Sequence, residues 1–176
     1  MSIYPRTMDQ NALEIIFTLL IGAGIVATLC VLKFSSAHFR REFRSVAMAL
    51  ASLVAIGATL GSLYFSEVRD FLPCEWCWYQ RIAMYPLAVL LPIATLRRDK
   101  RIIPYALTLT TIGAGFSIYH YQLQAFPDQG TSCTLSASCT YRWVEVFGFV
   151  SIPMLALGSF TLIGILLLAT GRPWKG

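Results

Sequence analysis

The chain has 176 residues, 56% of them hydrophobic and only 13% charged, with a mean hydropathy of +0.63. Ordinary soluble domains carry roughly 25% charged residues, and one this small has too much surface for its volume to hide so much apolar area. The composition therefore excludes a free-standing soluble domain. The net charge of +5 sits in short clusters between apolar runs rather than along one polar face, which excludes nucleic acid as a partner and fits membrane topology.

A bilayer-spanning helix needs about 20 mostly apolar residues at about 1.5 Å rise each. In chain order the segments that qualify are 13–32, 46–65, 79–96, 102–123 and 146–170. The first is too long for a signal-peptide apolar region and no small-x-small cleavage site follows it, so it reads as an uncleaved helix. Cys30, inside that run, reads as a packing residue. After it come Lys33, His38, Arg40, Arg41 and Arg44; after the third segment come Arg97, Arg98, Lys100 and Arg101; after the fifth come Arg172 and Lys175. The other side carries only Arg6, Arg69, Arg81 and Arg142. The basic excess marks the cytoplasmic face, so the connections that hold the paired cysteines lie outside. Residues 1–45 divide from residues 46–176 as an extra helix with its basic connection.

The third segment is preceded by Pro73-Cys74-Glu75-Trp76-Cys77-Trp78-Tyr79-Gln80-Arg81, a C-x-x-C at the start of a helix. Unpaired N–H groups and the helix dipole favour an anion there, and so favour a thiolate. Arg81, four residues after Cys77, lies on the same face one turn later. Trp76, Trp78 and Tyr79 resemble an interfacial aromatic belt, which puts Cys77 at the edge of the hydrocarbon, within reach of a lipid-soluble redox partner. A zinc half-site and a structural clip are the other readings. Thiols outside the cytoplasm tend to oxidise, which disfavours zinc, and a clip across so short a loop stabilises little.

Between the fourth and fifth segments, Cys133 and Cys139 lie six positions apart in a small, polar connection with Pro127 and Gly130. A disulfide there would be exposed and lightly supported, of the labile, catalytic kind; the alternative is a bond that merely pins the loop. Two dithiols on one membrane face suggest a relay from a partner thiol, through the loop pair, to Cys74 and Cys77. His120, at the outer end of the fourth segment, reads equally as a hydrogen-bonding or proton-donating group for a quinone carbonyl and as an interfacial anchor beside Tyr119 and Tyr121. Glu67, Asp70 and Glu75 are loop charges without an assigned role.

From about residue 46 to 170 the chain resembles the DsbB/BdbC family of quinone-dependent disulfide-forming membrane proteins. Cys74-Glu-Trp-Cys77-Trp-Tyr-Gln-Arg81 matches the family's C-x-x-C-x-Y-x-R pattern, His120 matches a position near the quinone ring, and Phe147 to Pro153 resembles the Gly-x-x-x-x-Pro stretch entering the last helix. The resemblance implies an all-α integral membrane protein of the bacterial cytoplasmic (inner) membrane: a DsbB-like four-helix bundle plus one extra N-terminal transmembrane helix. It implies that Cys77, supported by Arg81, is the thiolate in charge-transfer contact with the quinone (ubiquinone or menaquinone). It also implies that Cys74 bonds transiently to Cys139, and that Cys133 is captured by a thioredoxin-fold thiol oxidase of the DsbA/BdbD kind. The short Cys133–Cys139 spacing resembles the BdbC branch. A VKOR-like enzyme is disfavoured because its C-x-x-C lies in a different helix order. A reductive thiol conduit is disfavoured because its cysteines sit inside spanning helices. A metal-binding or structural membrane protein with four outer thiols would hold zinc or copper and tolerate loss of Arg81.

Overall fold

The computed structural model describes residues 8–129 and 138–171. It is all-α among those residues: α1 (Met8–Phe34), α2 (Ala37–Leu63), α3 (Glu75–Arg97), α4 (Ile103–Ala125) and α5 (Ile152–Ala169). A single π turn, Tyr64–Val68, extends α2, and short 3-10 turns flank α4.

The stretches Glu14–Phe34, Ala37–Val68, Lys100–Ala125 and Ile152–Ala169 are long and apolar enough to cross a membrane. Five apolar segments were expected, and the structure supports four by this measure. The third, α3, has 23 residues and so spans about 35 Å, but Glu75, Gln80, Arg81 and Arg97 lower its hydropathy. Its two interior polar residues, Gln80 and Arg81, are buried in the bundle rather than turned to lipid.

Two boundaries differ from those read in the sequence. Ser36 caps α2 by accepting the Phe39 N–H, so α2 starts at Ala37, and Arg40, Arg41 and Arg44 ride on its first turns rather than in a loop. The division expected after residue 45 therefore falls inside a helix. At the other end, α5 starts at Ile152, not at 146. Val146 and Val150 pair across a turn in which Phe147 and Gly148 have φ of 53° and 78°, and this left-handed backbone ends any helix there. Pro153 in the first turn of α5 loses no needed donor.

Helices α2, α3, α4 and α5 neighbour one another in that order around a four-helix bundle, with α5 closing against α2. Fully buried Ala47, Ala51 and Ala55 form one face of α2, which lets that helix approach Leu87 and Leu91 of α3 closely. Phe160 of α5 fills the centre and lies directly over Gly113 of α4, where any Cβ would collide with its ring. Helix α1 packs outside this bundle, mainly on α5 and less on α2. Large apolar side chains such as Leu20, Leu53, Ile82 and Leu168 face outward, as a lipid environment requires. At one end of the bundle the π turn, the start of α3, the end of α4 and the approach to α5 converge, and the site lies there.

Candidate redox site

Cys74 is the N-cap of α3 and Cys77 lies in its first turn. Both are free thiols, with their sulfurs 3.2 Å apart and hydrogen-bonded to each other. The helix start thus holds the pair where unpaired N–H groups favour negative charge, as the sequence implied.

The two sulfurs face different neighbours. Cys74 is buried, and His120 of α4 brings Nε2 to 3.4 Å from its sulfur. The other ring nitrogen, Nδ1, lies 3.2 Å from Gln80 Nε2. A Gln80 amide that donates to Nδ1 leaves the ring proton on Nε2, directed at the Cys74 sulfur. The Cys74 thiol is accordingly drawn down to about 4. The hydrogen bond with Cys77 is the largest cause; burial opposes it, and the His120 imidazole adds to it.

Cys77 lines a cavity of about 110 Å³ between α1, α2, α3 and α5. Arg81 lines it too, one turn along the same face of α3. Arg81 Nε donates to Ser62 Oγ at 3.0 Å, Nη2 donates to the Ser62 carbonyl at 3.1 Å, and the guanidinium sits 5.2 Å from the Trp78 ring centre. Among the described residues, these partners hold a buried cation at membrane depth with no acidic group bonded to it. Phe17 and Ile21 of α1 form part of the opposite wall. His120 is not among the lining residues; it lies on the Cys74 side of the dithiol.

Cys139 differs from its expected place. It is disulfide-bonded and only 2% exposed, and it packs in one buried cluster with Cys74 and Leu123, with Cys77 at the edge. The expected exposed loop bond is therefore buried at this sulfur. Cys133 lies outside the described residues. The segment after Cys139 is tied to its surroundings at several points. Gln124 Nε2 donates to the Tyr141 carbonyl at 3.2 Å, and Arg142 Nη2 donates to the Gln124 carbonyl at 3.2 Å. A row of rings runs Phe65, Phe71, Trp143, Tyr141. The row links the two cysteine connections. Trp76 stacks among Tyr79, Phe116 and Tyr119, as an interfacial aromatic group would.

The structure thus brings Cys74, Cys77, Arg81, His120 and Cys139 to one end of the bundle. Cys30 is a free, exposed thiol on α1, away from these residues, and His38 is exposed at the start of α2. The sequence reading missed Gln80, Ser62, Tyr85, Phe17 and Ile21. Gln80 had a signal, since it lies three residues after Cys77 and so shares its face. Ser62 and the two α1 residues had none, because only the tertiary arrangement brings them to the site. Cys74, Cys77 and His120 also place three potential ligand atoms within 4.8 Å of one another, a donor set suited to a soft divalent metal.

The family model for "Disulfide bond formation protein DsbB" matches residues 43–170. The chain is 48% identical over 122 residues to "Disulfide bond formation protein C" of Bacillus subtilis, which covers 68% of this chain and 88% of that relative. It is 44% identical over 125 residues to "Probable disulfide formation protein C 2" of Bacillus cereus, covering 70% and 90%. It is 41% identical over 112 residues to "Probable disulfide formation protein" of Oceanobacillus iheyensis, covering 62% and 77%. No solved structure matches the chain.

Proposed function

Because the chain belongs to the DsbB family of disulfide bond formation proteins, we propose that it is a quinone-dependent thiol oxidase that reoxidises a thioredoxin-fold disulfide-forming partner of the DsbA/BdbD kind. Its loops face the outside of a bacterial cytoplasmic membrane, as the basic residues at the opposite ends of the helices favour. The observation that carries the reading is the division of labour within one dithiol. Cys77 lines an apolar cavity with Arg81, while Cys74 packs against Cys139 of the other loop. Electrons delivered to Cys74 by thiol exchange are then one sulfur away from a membrane-side acceptor.

The residues present suit a quinone. The cavity is mostly apolar, and Arg81 supplies a permanent cation. Cys77 and Arg81 would hold the ring, and the bound quinone would accept two electrons and two protons. The chain's own steps are thiol exchange. The partner's dithiol reduces the loop disulfide of Cys139. The Cys139 thiolate attacks the Cys74 sulfur of the Cys74–Cys77 disulfide, forming a Cys74–Cys139 bond and releasing Cys77 as a thiolate. The second loop thiol, assigned by family resemblance to Cys133, then attacks Cys139. The loop disulfide reforms and Cys74 leaves. His120 Nε2, 3.4 Å from the Cys74 sulfur, is placed to support the charge on Cys74 as it leaves.

The test is quinone reduction by the detergent-purified protein, followed by absorbance, with a reduced thioredoxin-fold protein as donor. Turnover that disappears in Cys77→Ser is the expected result. Absence of turnover with both benzoquinone and naphthoquinone acceptors would overturn the reading. Metal analysis of the same sample would then test whether Cys74, Cys77 and His120 serve as ligands instead.

A further inference from the structure

The donor atoms of Cys74, Cys77 and His120 have the spacing of a metal site as well as of a redox pair with its imidazole. The Cys74 and Cys77 sulfurs lie 3.2 Å apart, His120 Nε2 lies 3.4 Å from the Cys74 sulfur, and the three donors all lie within 4.8 Å of one another. Tetrahedral zinc, with bonds of about 2.3 Å to sulfur and about 2.0 Å to nitrogen, sets two sulfurs about 3.8 Å apart and a sulfur and a nitrogen about 3.5 Å apart. Shifts of about half an ångström would centre an ion among the three. The N-cap and first turn of α3 carry the thiols, and α4 carries the imidazole. An outer shell is present too. A metal-bound imidazole keeps its other ring nitrogen in a hydrogen bond. His120 Nδ1 lies 3.2 Å from the buried Gln80 amide. That amide donates to a bare Nδ1 or, turned over, accepts from Nδ1–H when Nε2 binds a metal. Two thiolates balance the charge of a divalent ion, and the Arg81 guanidinium is engaged by Ser62 and Trp78. Cys74 and His120 are buried while Cys77 is partly exposed, so an ion enters past Cys77.

We propose that the reduced Cys74–Cys77 pair and His120 form a redox-gated site for a soft divalent cation of the zinc class, and that an ion held there stops the enzyme in its reduced state. The inference rests on the oxidase reading above, in which the pair alternates between disulfide and dithiol. Binding forms two metal–sulfur bonds and one metal–nitrogen bond and sends the thiol protons to solvent; no electron moves. The disulfide form offers no thiolate and leaves His120 as a lone ligand, so the oxidised protein has no site. Outer thiols tend to oxidise, which disfavours a permanent zinc, but each turnover regenerates this dithiol. With both sulfurs bonded to the ion, neither is free to react with quinone or with the loop disulfide.

The experiment takes the full-length, detergent-purified protein, reduced, freed of reductant and kept anaerobic. It is titrated with Co²⁺ as a spectroscopic probe and then with Zn²⁺ in competition. One ion per chain is expected, with a thiolate-to-cobalt absorption band. Protein oxidised at Cys74–Cys77 should show neither. Binding should persist in the reduced Cys133→Ser/Cys139→Ser variant, lose the cobalt band in His120→Ala and weaken about 10–100-fold in Gln80→Ala, the effect of an outer-shell partner. Oxidation of the reduced protein by quinone is then followed with no partner protein present. Zn²⁺ at about ten times its Kd should slow that oxidation about tenfold, in line with the fraction left unbound, and EDTA should restore it. Reduced protein that reduces quinone yet binds no ion, or that binds it equally when oxidised or in His120→Ala, would overturn the proposal and leave the oxidase reading standing. So would bound zinc with an undiminished rate of quinone reduction. Protein that binds the ion but reduces no quinone even after EDTA would overturn the oxidase reading, and the gating with it.

Discussion

Cys74 and Cys77 lie three residues apart and meet different chemistry, because Cys74 is the extended N-cap of α3 while Cys77 lies in its first turn, and the bundle presents His120 to one sulfur and a cavity to the other. This asymmetry has a pH signature in the reduced protein. A thiol lowered to about 4 is a thiolate at every pH above that value. In the unfolded chain the same thiol titrates near 8.5. The shift therefore contributes stability to the reduced fold in full above about 8.5, and the contribution fades as pH falls through the interval down to about 4. Thiolate absorbance of the reduced protein should show one group titrating far below an ordinary thiol, and His120→Ala should move that midpoint upward. A midpoint that stays near 8.5 in the wild type would sink the assignment. Much of this was legible in the sequence. C-x-x-C at a helix start with an arginine one turn on specifies the chemistry locally. That His120 serves the Cys74 sulfur and not the cavity was not legible, because a face of α4 relative to α3 is set by packing across 40 residues of chain.

At the scale of elements, α1 lies outside the family match, which begins at residue 43, after α1 has ended. Yet α1 is a wall of the cavity through Phe17 and Ile21. It reaches that position through two glycine contacts with α5. A Cβ on Gly158 would lie 2.7 Å from Ile21 Cγ2, and one on Gly24 would lie 2.9 Å from Leu162 Cδ2. Gly158→Val should push α1 outward, costing about 1–3 kcal/mol of stability as an overpacked contact. It should also raise the KM for quinone severalfold while leaving thiol exchange between the cysteine pairs unchanged. Equal quinone KM values for variant and wild type would show that α1 does not shape the cavity. The apolar runs in the sequence located every helix, because their length survives any packing arrangement. They misplaced two starts, where a serine cap and a left-handed Phe147-Gly148 turn override hydropathy. They could not reveal the π turn after α2, which brings Phe65 toward the ring row and leaves Ser62 to Arg81.

The whole molecule has to bring two dithiols from separate connections into contact, and the four-helix ring alone does not do this. It gathers the helix ends, but Cys139 lies in the connection between α4 and α5, and its burial against Cys74 needs that connection to be held down. The holding contacts are on the far side of Cys139 from Cys133: the stacked Phe71 and Trp143 rings, 5.0 Å apart, and the Gln124–Arg142 and Gln124–Tyr141 hydrogen bonds. Such tethering raises the effective concentration of one sulfur at the other without a new covalent step. Trp143→Ala removes the middle of the ring row and should loosen this approach while leaving the cavity untouched, since Trp143 does not line it. The expected outcome is that internal exchange slows about tenfold, measured by rapid alkylation after the loop disulfide is reduced in a protein whose Cys74–Cys77 pair is oxidised. Oxidation of a chemically reduced Cys74–Cys77 pair by added quinone should proceed at the wild-type rate. If both rates fall together, Trp143 supports the bundle as a whole. If neither moves, the hydrogen bonds at Gln124 suffice to hold Cys139, and the double variant Gln124→Ala/Arg142→Met, which removes both the bond to the Tyr141 carbonyl and the bond to the Gln124 carbonyl, should separate the two steps.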